Sequence, residues 1–456
     1  MNEWLPLGLF LFTLFFLLLG FPVAFTLGGA SLLFAGIGFL LDAFDPAFLE
    51  ALPVRLYGMM NNETLIAIPL FIFMGITLEK SEISKSLLET MAEGFGPIRG
   101  GLGVSVFIVG ALLAASTGIV GATVVTMGLI SLPAMLSQKY SPKLASGIIC
   151  ASGTLGQIIP PSIVLIILGD VMSSAYQQSQ LEQGIFSPET VSVADLFVGA
   201  ILPGFLLVFL YISWVFLISW LKPDIAPSLP LSQRKPNYSK RVIQVLLPPL
   251  ILITGVLGSI LMGITTPTEA ASVGCIGALL LAGFKQKLTF KKLKQVFMAT
   301  TEVTSMVFTI LIGASLFSLV FRGFSGDEWI RTLVGSFEGS PNLIFFLIMT
   351  VIFILGFFLD FFEIVFVVVP VVGPLLLNLG MDPTWLGVMI ALNLQTSFLT
   401  PPFGFSLFYL RGVAPAEIKT TDIYAGVIPF IGIQILVLLI LWKFPELATF
   451  LPNQVF

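Results

Sequence analysis

The amino-acid sequence predicts an all-α polytopic membrane protein, built as an inverted-topology repeat with two re-entrant hairpins and two broken helices. Three observations predict it. The 456 residues are 57% hydrophobic and only 10% charged, and the apolar residues fall in many runs of about 20, long enough to cross a bilayer as helices. Two Pro-Pro pairs, Pro160-Pro161 and Pro401-Pro402, interrupt such runs 241 residues apart. A proline removes a backbone donor and collides with the preceding helical turn, so each pair breaks a helix, and broken backbone survives at membrane depth only where protein buries it or a polar cavity solvates it. Finally, 17 of the 21 Lys and Arg residues fall in loops on one side once the hairpins are placed, as the positive-inside rule requires.

The elements follow in order. Crossings are expected at roughly 6–20, 21–41, 64–79, 144–170, 195–220, 243–262, 264–284, 296–321, 385–410 and 425–442, ten in all, with hairpins at about 102–136 and 342–378. The run from Leu5 to about Leu19 has no basic stretch ahead of it and no small-residue cleavage site behind it, so it reads as a crossing and not as a signal peptide. With both termini outside, the inner loops hold five basic residues in 222–241 and five in 285–294; the outer loops hold only Arg55, Arg322, Arg331 and Lys443. Reading 102–136 as one crossing would put Lys139 and Lys143 outside and reverse everything after them, hence the re-entrant assignment. A third pair, Pro248-Pro249, has no partner in the other half and reads as a helix start.

The halves match beyond the breaks. Pro133 and Pro374 are also 241 apart, Gly75 and Gly313 are 238 apart, and Asp195-Leu-Phe-Val-Gly-Ala-Ile-Leu-Pro203 resembles Asp422-Ile-Tyr-Ala-Gly-Val-Ile-Pro429. Each half has five crossings and one hairpin, and an odd number inserts the second half upside down, as in transporters. The expected division is scaffold helices at 1–79 and 243–322, polar arms at 80–101 and 323–341, hairpin-plus-broken-helix units at 102–220 and 342–443, and a linker at 221–242 with Pro223, Pro227, Pro230 and Pro236. The first arm carries the stripe Ile83, Leu87, Met91, Phe95; the second carries Ile330, Leu333, Val334, Phe337 after Asp327-Glu328. Such segments lie flat at an interface or are ordinary amphipathic loop helices.

Composition excludes several classes. Net charge is −4, too weak to suggest nucleic acid, and there is no histidine, which removes histidine-dependent zinc sites, Ser-His hydrolysis and histidine haem ligation. No GxxxxGK[ST] occurs, so the chain is not itself an ATPase subunit. Cys150 and Cys275 lie in apolar segments and read as small buried hydrophobes with no disulfide role. A channel needs a continuous polar path, whereas the polar residues here cluster at matched points; an intramembrane enzyme would need Asp360 paired with a distant acid.

The chemistry sits at the tips and breaks. The first tip reads Ala114-Ala-Ser-Thr-Gly-Ile-Val-Gly-Ala-Thr123: hydroxyls of Ser116, Thr117 and Thr123, with Gly118 and Gly121 for a tight turn. Hydroxyls and free carbonyls suit a hard cation, although small and hydroxyl residues also pack membrane helices. In Ser152-Gly-Thr-Leu-Gly-Gln-Ile-Ile-Pro-Pro-Ser162, Gly153 and Gly156 precede the prolines, and Ser152, Thr154 and Gln157 are polar at membrane depth. The second break offers Asn393, Gln395, Thr396, Ser397 and Thr400. A half-helix ending at a break presents carbonyls to a cation, and the next one presents free amides to an anion. The second hairpin holds Gly356-Phe-Phe-Leu-Asp360-Phe-Phe-Glu363, and carboxylates at such depth are costly and usually functional. Asp360 ligates a cation, relays a proton or caps the turn, and Glu363 could replace it in each role. Glu269 and Glu302 are further acids within apolar runs; Thr266-Pro-Thr-Glu269 reads as a helix start with Thr266 as its cap.

Six ordered motifs carry a resemblance: Gly20-Phe-Pro-Val-Ala-Phe25, Ile68-Pro-Leu-Phe-Ile-Phe-Met-Gly75, Ala151 to Ser162, Thr266-Pro-Thr-Glu-Ala-Ala271, Phe358-Leu-Asp360 and Asn393-Leu-Gln-Thr-Ser-Phe-Leu-Thr-Pro-Pro402. Over nearly its whole length the chain resembles the large membrane subunit of tripartite ATP-independent periplasmic (TRAP) transporters. Its first tip departs from the Ser-Gly-Ser pattern of the sialate-type branch and looks more like the mannitol/chloroaromatic branch, whose relatives include 2-oxo acid and lactate systems. The resemblance implies an elevator-type importer of organic acids in the bacterial inner membrane, driven by two or more sodium ions. It also implies two partner proteins, a periplasmic substrate-binding protein and a small four-helix membrane subunit. By the same resemblance, one sodium site joins Ser116, Thr117 and Gly118 to Gly153 and Pro160, and the other joins Gly356 and Asp360 to Thr396 and Thr400. The substrate carboxylate would lie between them, among Ser152, Thr154, Gln157, Asn393, Gln395 and Ser397. Proton coupling through Asp360 or Glu363 is the alternative.

Overall fold

Helix formation is the response of these apolar runs to a medium in which each backbone group must be paired internally. A computed structural model describes residues 4–118, 120–228, 237–285, 288–335, 341–402 and 404–455, which contain helices and no strand. The side chains of Ser116 and Thr117, those of Leu333 and Val334, and Pro230, Pro236 and Phe337 lie outside what is described.

The first half runs α1 (Leu5–Leu18), α2 (Val23–Leu40), α3 (Leu52–Met60), α4 (Glu63–Lys80), α5 (Ile83–Phe95), α6 (Gly101–Thr117), α7 (Val120–Ser137), α8 (Pro142–Thr154), α9 (Ile163–Glu182) and α10 (Val193–Leu221). The second runs α11 (Tyr238–Leu261), α12 (Pro267–Phe284), α13 (Phe290–Gly323), α14 (Gly326–Gly335), α15 (Pro341–Leu355), α16 (Phe361–Glu363), a π-turn over Ile364–Val368, α17 (Val369–Asn378), α18 (Pro383–Leu399), α19 (Phe405–Val413) and α20 (Thr420–Lys443). Two short helices, α21 (Glu446–Thr449) and α22 (Pro452–Val455), follow. Among the described residues eight helical stretches are long and apolar enough to cross a membrane, and the α3–α4 pair, bent by 54°, makes a ninth.

Capping side chains set several helix starts. Ser192 and Asp195 reciprocally cap α10, and Thr266 and Glu269 do the same for α12, so Glu269 has the structural role expected of it. Asn62 caps α4 and Asp382 caps α18 through their side-chain oxygens. Each satisfies an N–H that the first turn leaves without a partner.

Three expectations need correction. Pro248 and Pro249 do not start a helix: α11 begins at Tyr238 and runs through them. The segment taken as an outer loop from 171 is largely helix, because α9 continues to Glu182. Met172, Ala175 and Ser179 keep one of its faces buried. In its last turn Gln180 grips the returning chain, donating to the Glu189 carbonyl at 3.0 Å and accepting from its N–H at 2.9 Å. Residues 46–60, assigned to no element, form a 3-10 turn capped by Asp45 and then α3.

The packing repeats with the halves exchanged. α2 packs on α13 and α4 on α12; α7 packs on α19 and α17 on α9. Both feet of the first hairpin rest on the linker, where the Gly100 N–H donates to the Ala226 carbonyl at 3.1 Å and the Ser141 N–H to that of Ile225 at 2.9 Å. Near the foot of the second hairpin, Phe345 packs on Trp385 with ring centroids 5.1 Å apart, while Asn378 at the end of α17 accepts from Ser179 at 2.7 Å and from Gln183 at 3.0 Å. The predicted stripe of α5 buries Ile83, Leu87 and Met91. Ion pairs fasten α5 near both ends, Glu82 to Lys292 of α13 at 3.0 Å and Glu93 to Arg241 of α11.

Candidate functional site

Each proline pair ends a helix beside the tip of its own hairpin. α8 stops at Thr154, one 3-10 turn covers Leu155–Gln157, and α9 begins only at Ile163. α18 stops at Leu399, Thr400 turns into extended backbone, and α19 begins at Phe405. The Pro160-Pro161 and Pro401-Pro402 bonds are both cis. The broken ends are capped alike. Ser162 donates its hydroxyl to the Gln157 carbonyl and Ser406 to the Phe398 carbonyl, each at 2.9 Å, and those two carbonyls are 241 residues apart.

Glycines let the tips come close. Gly118 ends α6 in the left-handed region at φ 60°, where a side chain would be strained. A Cβ on it would lie 3.0 Å from the backbone nitrogen of Ile163, the first residue of α9. A Cβ on Gly156 would lie 3.8 Å from the Gly118 carbonyl carbon, so the first tip sits directly over the first break. In the second half a Cβ on Gly356 would fall 2.1 Å from Ser397 Oγ, and Asn393 donates to the Met349 carbonyl at 2.7 Å. The second tip thus sits over the second break in the same way.

The two breaks also meet each other. Gln395 Nε2 donates to Thr154 Oγ1 across a long 3.4 Å, and these residues are again 241 apart. Around this contact Ser152, Thr154, Gln157, Gln395, Thr396 and Ser397 are fully buried, and Asn393 nearly so. Of the six residues expected to meet substrate, Thr154 and Gln395 touch each other, while Ser152 packs on Gly110 of α6 and Asn393 and Ser397 on α15. Neither amide atom of Gln157 has a hydrogen-bond partner among the described residues, nor has Gln395 Oε1. An unpaired buried polar group costs roughly 1–3 kcal/mol, and the side chains of Gln157 and Gln395 carry that cost at the breaks.

The hydroxyl oxygens fit a cation. Thr396 donates to the Leu392 carbonyl at 2.8 Å, Ser397 to Leu394 at 2.7 Å, Thr400 to Thr396 at 2.7 Å and Thr154 to Ala151 at 2.9 Å. A hydroxyl has one proton to donate; with it committed to the helix, the oxygen keeps lone pairs only to accept, as Thr154 does from Gln395. Together with tip carbonyls and carboxylates, such oxygens are the donor set of a hard cation.

The expected ligand residues are brought together in part. Gly118 reaches the first break, and Gly356 reaches the second. At Gly153 a Cβ would meet Val124 of α7 at 2.2 Å, so α8 packs closely there on the hairpin's second helix. Pro160 lies in the break, and one face of it borders an apolar cavity of about 330 Å³ between α6, α10 and α11. Asp360 caps α16: its Oδ1 accepts from the Phe361 N–H at 2.7 Å, and the Glu363 carboxylate accepts the Asp360 N–H. Among the described residues no hydrogen bond joins Asp360 to Thr396 or Thr400. The sequence reading passed over the caps Ser162 and Ser406 and the Thr154–Gln395 contact, although the 241-residue spacing signals the last.

Comparison with known proteins places this geometry. The family model described as "Tripartite ATP-independent periplasmic transporter, DctM component" matches residues 10–447. The C4-dicarboxylate TRAP transporter large permease protein DctM of Pseudomonas aeruginosa is 29% identical over 412 residues, covering 90% of this chain and 91% of its own length. The ectoine/5-hydroxyectoine TRAP transporter large permease protein UehC of Ruegeria pomeroyi is 29% identical over 456 residues, covering 98% and 99%. The crystal structure of the Alcanivorax borkumensis YdaH transporter superimposes with a TM-score of 0.62 at 15% identity, covering 90% of this chain and 89% of that one; at that identity the likeness is one of fold.

Proposed function

The chain belongs to the DctM family of TRAP transporters as a large permease subunit, a transporter component and not an enzyme, and from that premise we propose that it imports a small organic acid by sodium-driven elevator motion. The observation that carries this reading is the paired arrangement of tips and breaks. In each half a glycine tip lies over a break that carries hydroxyl side chains, Thr154 in the first and Thr396 and Thr400 in the second.

In this reading sodium is held by oxygens of the first tip and break, Ser116, Thr117, Gly118 and the backbone around Pro160, and of the second, Gly356, Asp360, Thr396 and Thr400. Filling these positions fixes both tips and arranges Ser152, Thr154, Gln157, Asn393, Gln395 and Ser397 for a carboxylate, such as a 2-oxo or 2-hydroxy acid. The unpaired Gln157 amide then gains its partner. Coupling follows because the sodium-free site binds the acid poorly. The moving body comprises 102–220 and 342–443, against a scaffold of 1–79 and 243–322. The ion pairs of α5 with α11 and α13 support an arm fixed to the scaffold. A periplasmic binding protein delivers the acid, a small four-helix subunit broadens the scaffold, and both termini face the periplasm.

The test is uptake into proteoliposomes holding this chain, the small subunit and the binding protein. Uptake should follow an inward sodium gradient; uptake that continues unchanged without sodium sinks sodium coupling. The adjoining carboxylates of Asp360 and Glu363 favour a second reading, proton coupling, which predicts uptake driven by a pH gradient alone and abolished by Glu363→Gln.

A further inference from the structure

A second polar cavity lies away from the breaks. It has a volume of about 510 Å³ and opens between α3, the end of α13, α9 and the π-turn. Arg55 enters from α3, Arg322 from α13, and Asp170 and Gln178 from α9. Charge bias puts this face outside the membrane, since Arg55 and Arg322 belong to the few basic residues of the outer loops.

Both arginines line the same cavity, and the Asp327 carboxylate that pairs with Arg322 also attracts Arg55. Arg322 is partly engaged: its Nη2 donates to Gln178 Oε1 at 2.7 Å, and its Nε lies 3.4 Å from Asp327 Oδ2. Half-buried Arg55 has no ion pair or hydrogen bond among the described residues. The nearby Asp170 carboxylate accepts from Asn62 Nδ2 at 2.7 Å instead. A guanidinium carries five N–H donors in a planar fork that matches a carboxylate. Two such forks converging on one cavity, one unpaired and one with donors to spare, form a receptor for an anion of that shape.

We propose that this cavity is a carboxylate-binding vestibule, separate from the polar residues at the breaks, in which Arg55 and Arg322 take the carboxylate of a small organic acid. The source of the acid rests on the importer reading. Arg322 keeps its bond to Gln178, a bridge between α13 and α9, while its remaining donors take the carboxylate.

Arginine protection tests this without mutation. The full-length chain with its small subunit is treated with phenylglyoxal, and modification of Arg55 and Arg322 is followed by peptide mass spectrometry. The probes are sodium acetate, lactate, pyruvate and succinate, against acetamide, lactamide, pyruvamide and succinamide in sodium chloride. At least one acid should slow modification of both arginines severalfold while its amide does not. No protection by any acid, or equal protection by the amides, overturns the proposal. In uptake assays Arg55→Gln should raise KM about tenfold with little change in maximal rate, and Arg55→Lys should recover part of the loss. An unchanged KM in Arg55→Gln, with sodium-driven uptake intact, rejects the vestibule and leaves the importer standing. Protection that persists while uptake ignores sodium rejects the coupling and leaves the vestibule standing.

Discussion

The two halves share a backbone design and differ in what they place on it. In the first, a left-handed glycine, Gly118, meets a break whose last turn carries Gln157, a buried amide without partners. In the second, residue 398, the counterpart of Gln157 at 241 residues' spacing, is a phenylalanine packed against Phe405 with ring centroids 5.0 Å apart. The second tip instead carries the capping carboxylates Asp360 and Glu363. Duplication kept the geometry that breaks helices and varied the chemistry: a wholly unpaired amide ends the first break, and capping carboxyl groups mark the second tip. In the importer reading, this difference lets one site hold a cation strongly while an anion binds beside it.

Removing the breaks is the harshest test of the shared design. Pro160→Ala with Pro161→Ala, or Pro401→Ala with Pro402→Ala, should restore continuous helix and take sodium-dependent uptake to background while expression persists; normal uptake in either double variant reduces that break to a kink.

Next comes the charge on the second side. Asp360→Ala loses both charge and cap, and a lost cap costs about 1 kcal/mol. Asp360→Asn keeps the cap, since Asn caps helices as well as Asp. If charge matters, both variants should lose uptake per folded molecule by about tenfold or more, equivalent to about 1.4 kcal/mol; an active Asn variant assigns Asp360 to capping alone.

Close approach of the tips can be tested on both sides. Gly356→Ala collides with Ser397, and Gly118→Ala meets α9 from a strained φ, so each should weaken sodium dependence severalfold; an unaffected sodium response in both would dissociate tips from breaks.

A smaller effect of opposite sign is expected on the first side. Gln157→Leu removes unpaired polar atoms worth roughly 1–3 kcal/mol when buried. It should leave Tm unchanged or higher while raising the KM for substrate; a lower Tm with unchanged KM would make Gln157 purely structural.

Thr266→Ala, remote from both breaks, should cost only about 1 kcal/mol in stability and leave transport per folded molecule intact.

Much of this was legible because strong local rules agreed. At Pro160-Pro161 and Pro401-Pro402 the prolines come with glycine and polar residues, and both breaks fell where expected. The Thr266–Glu269 spacing announced its cap, and the four-residue recurrence of Ile83, Leu87 and Met91 announced the buried face of α5. Pro248-Pro249 misled because the turn before them, from Tyr238, is helical enough to carry the chain through. The helical tail of α9 was hidden by its polarity: Gln177, Gln178 and Gln180 read as loop until their partners across the fold are known. Long-range pairing was the least legible. Neither the resting of the first hairpin on Ile225 and Ala226 nor the meeting of Arg55 with Arg322 leaves a local pattern.

The contact between Thr154 and Gln395 bears on ancestry. Were the halves separate, identical chains joined about a two-fold axis, a position on that axis would meet its own copy. Threonine would face threonine, or glutamine would face glutamine. A donor and acceptor of different kinds at one equivalent position require the copies to mutate independently, which duplication permits and a single gene for both halves does not. The bond that joins the two breaks therefore dates itself: it is younger than the duplication that created them.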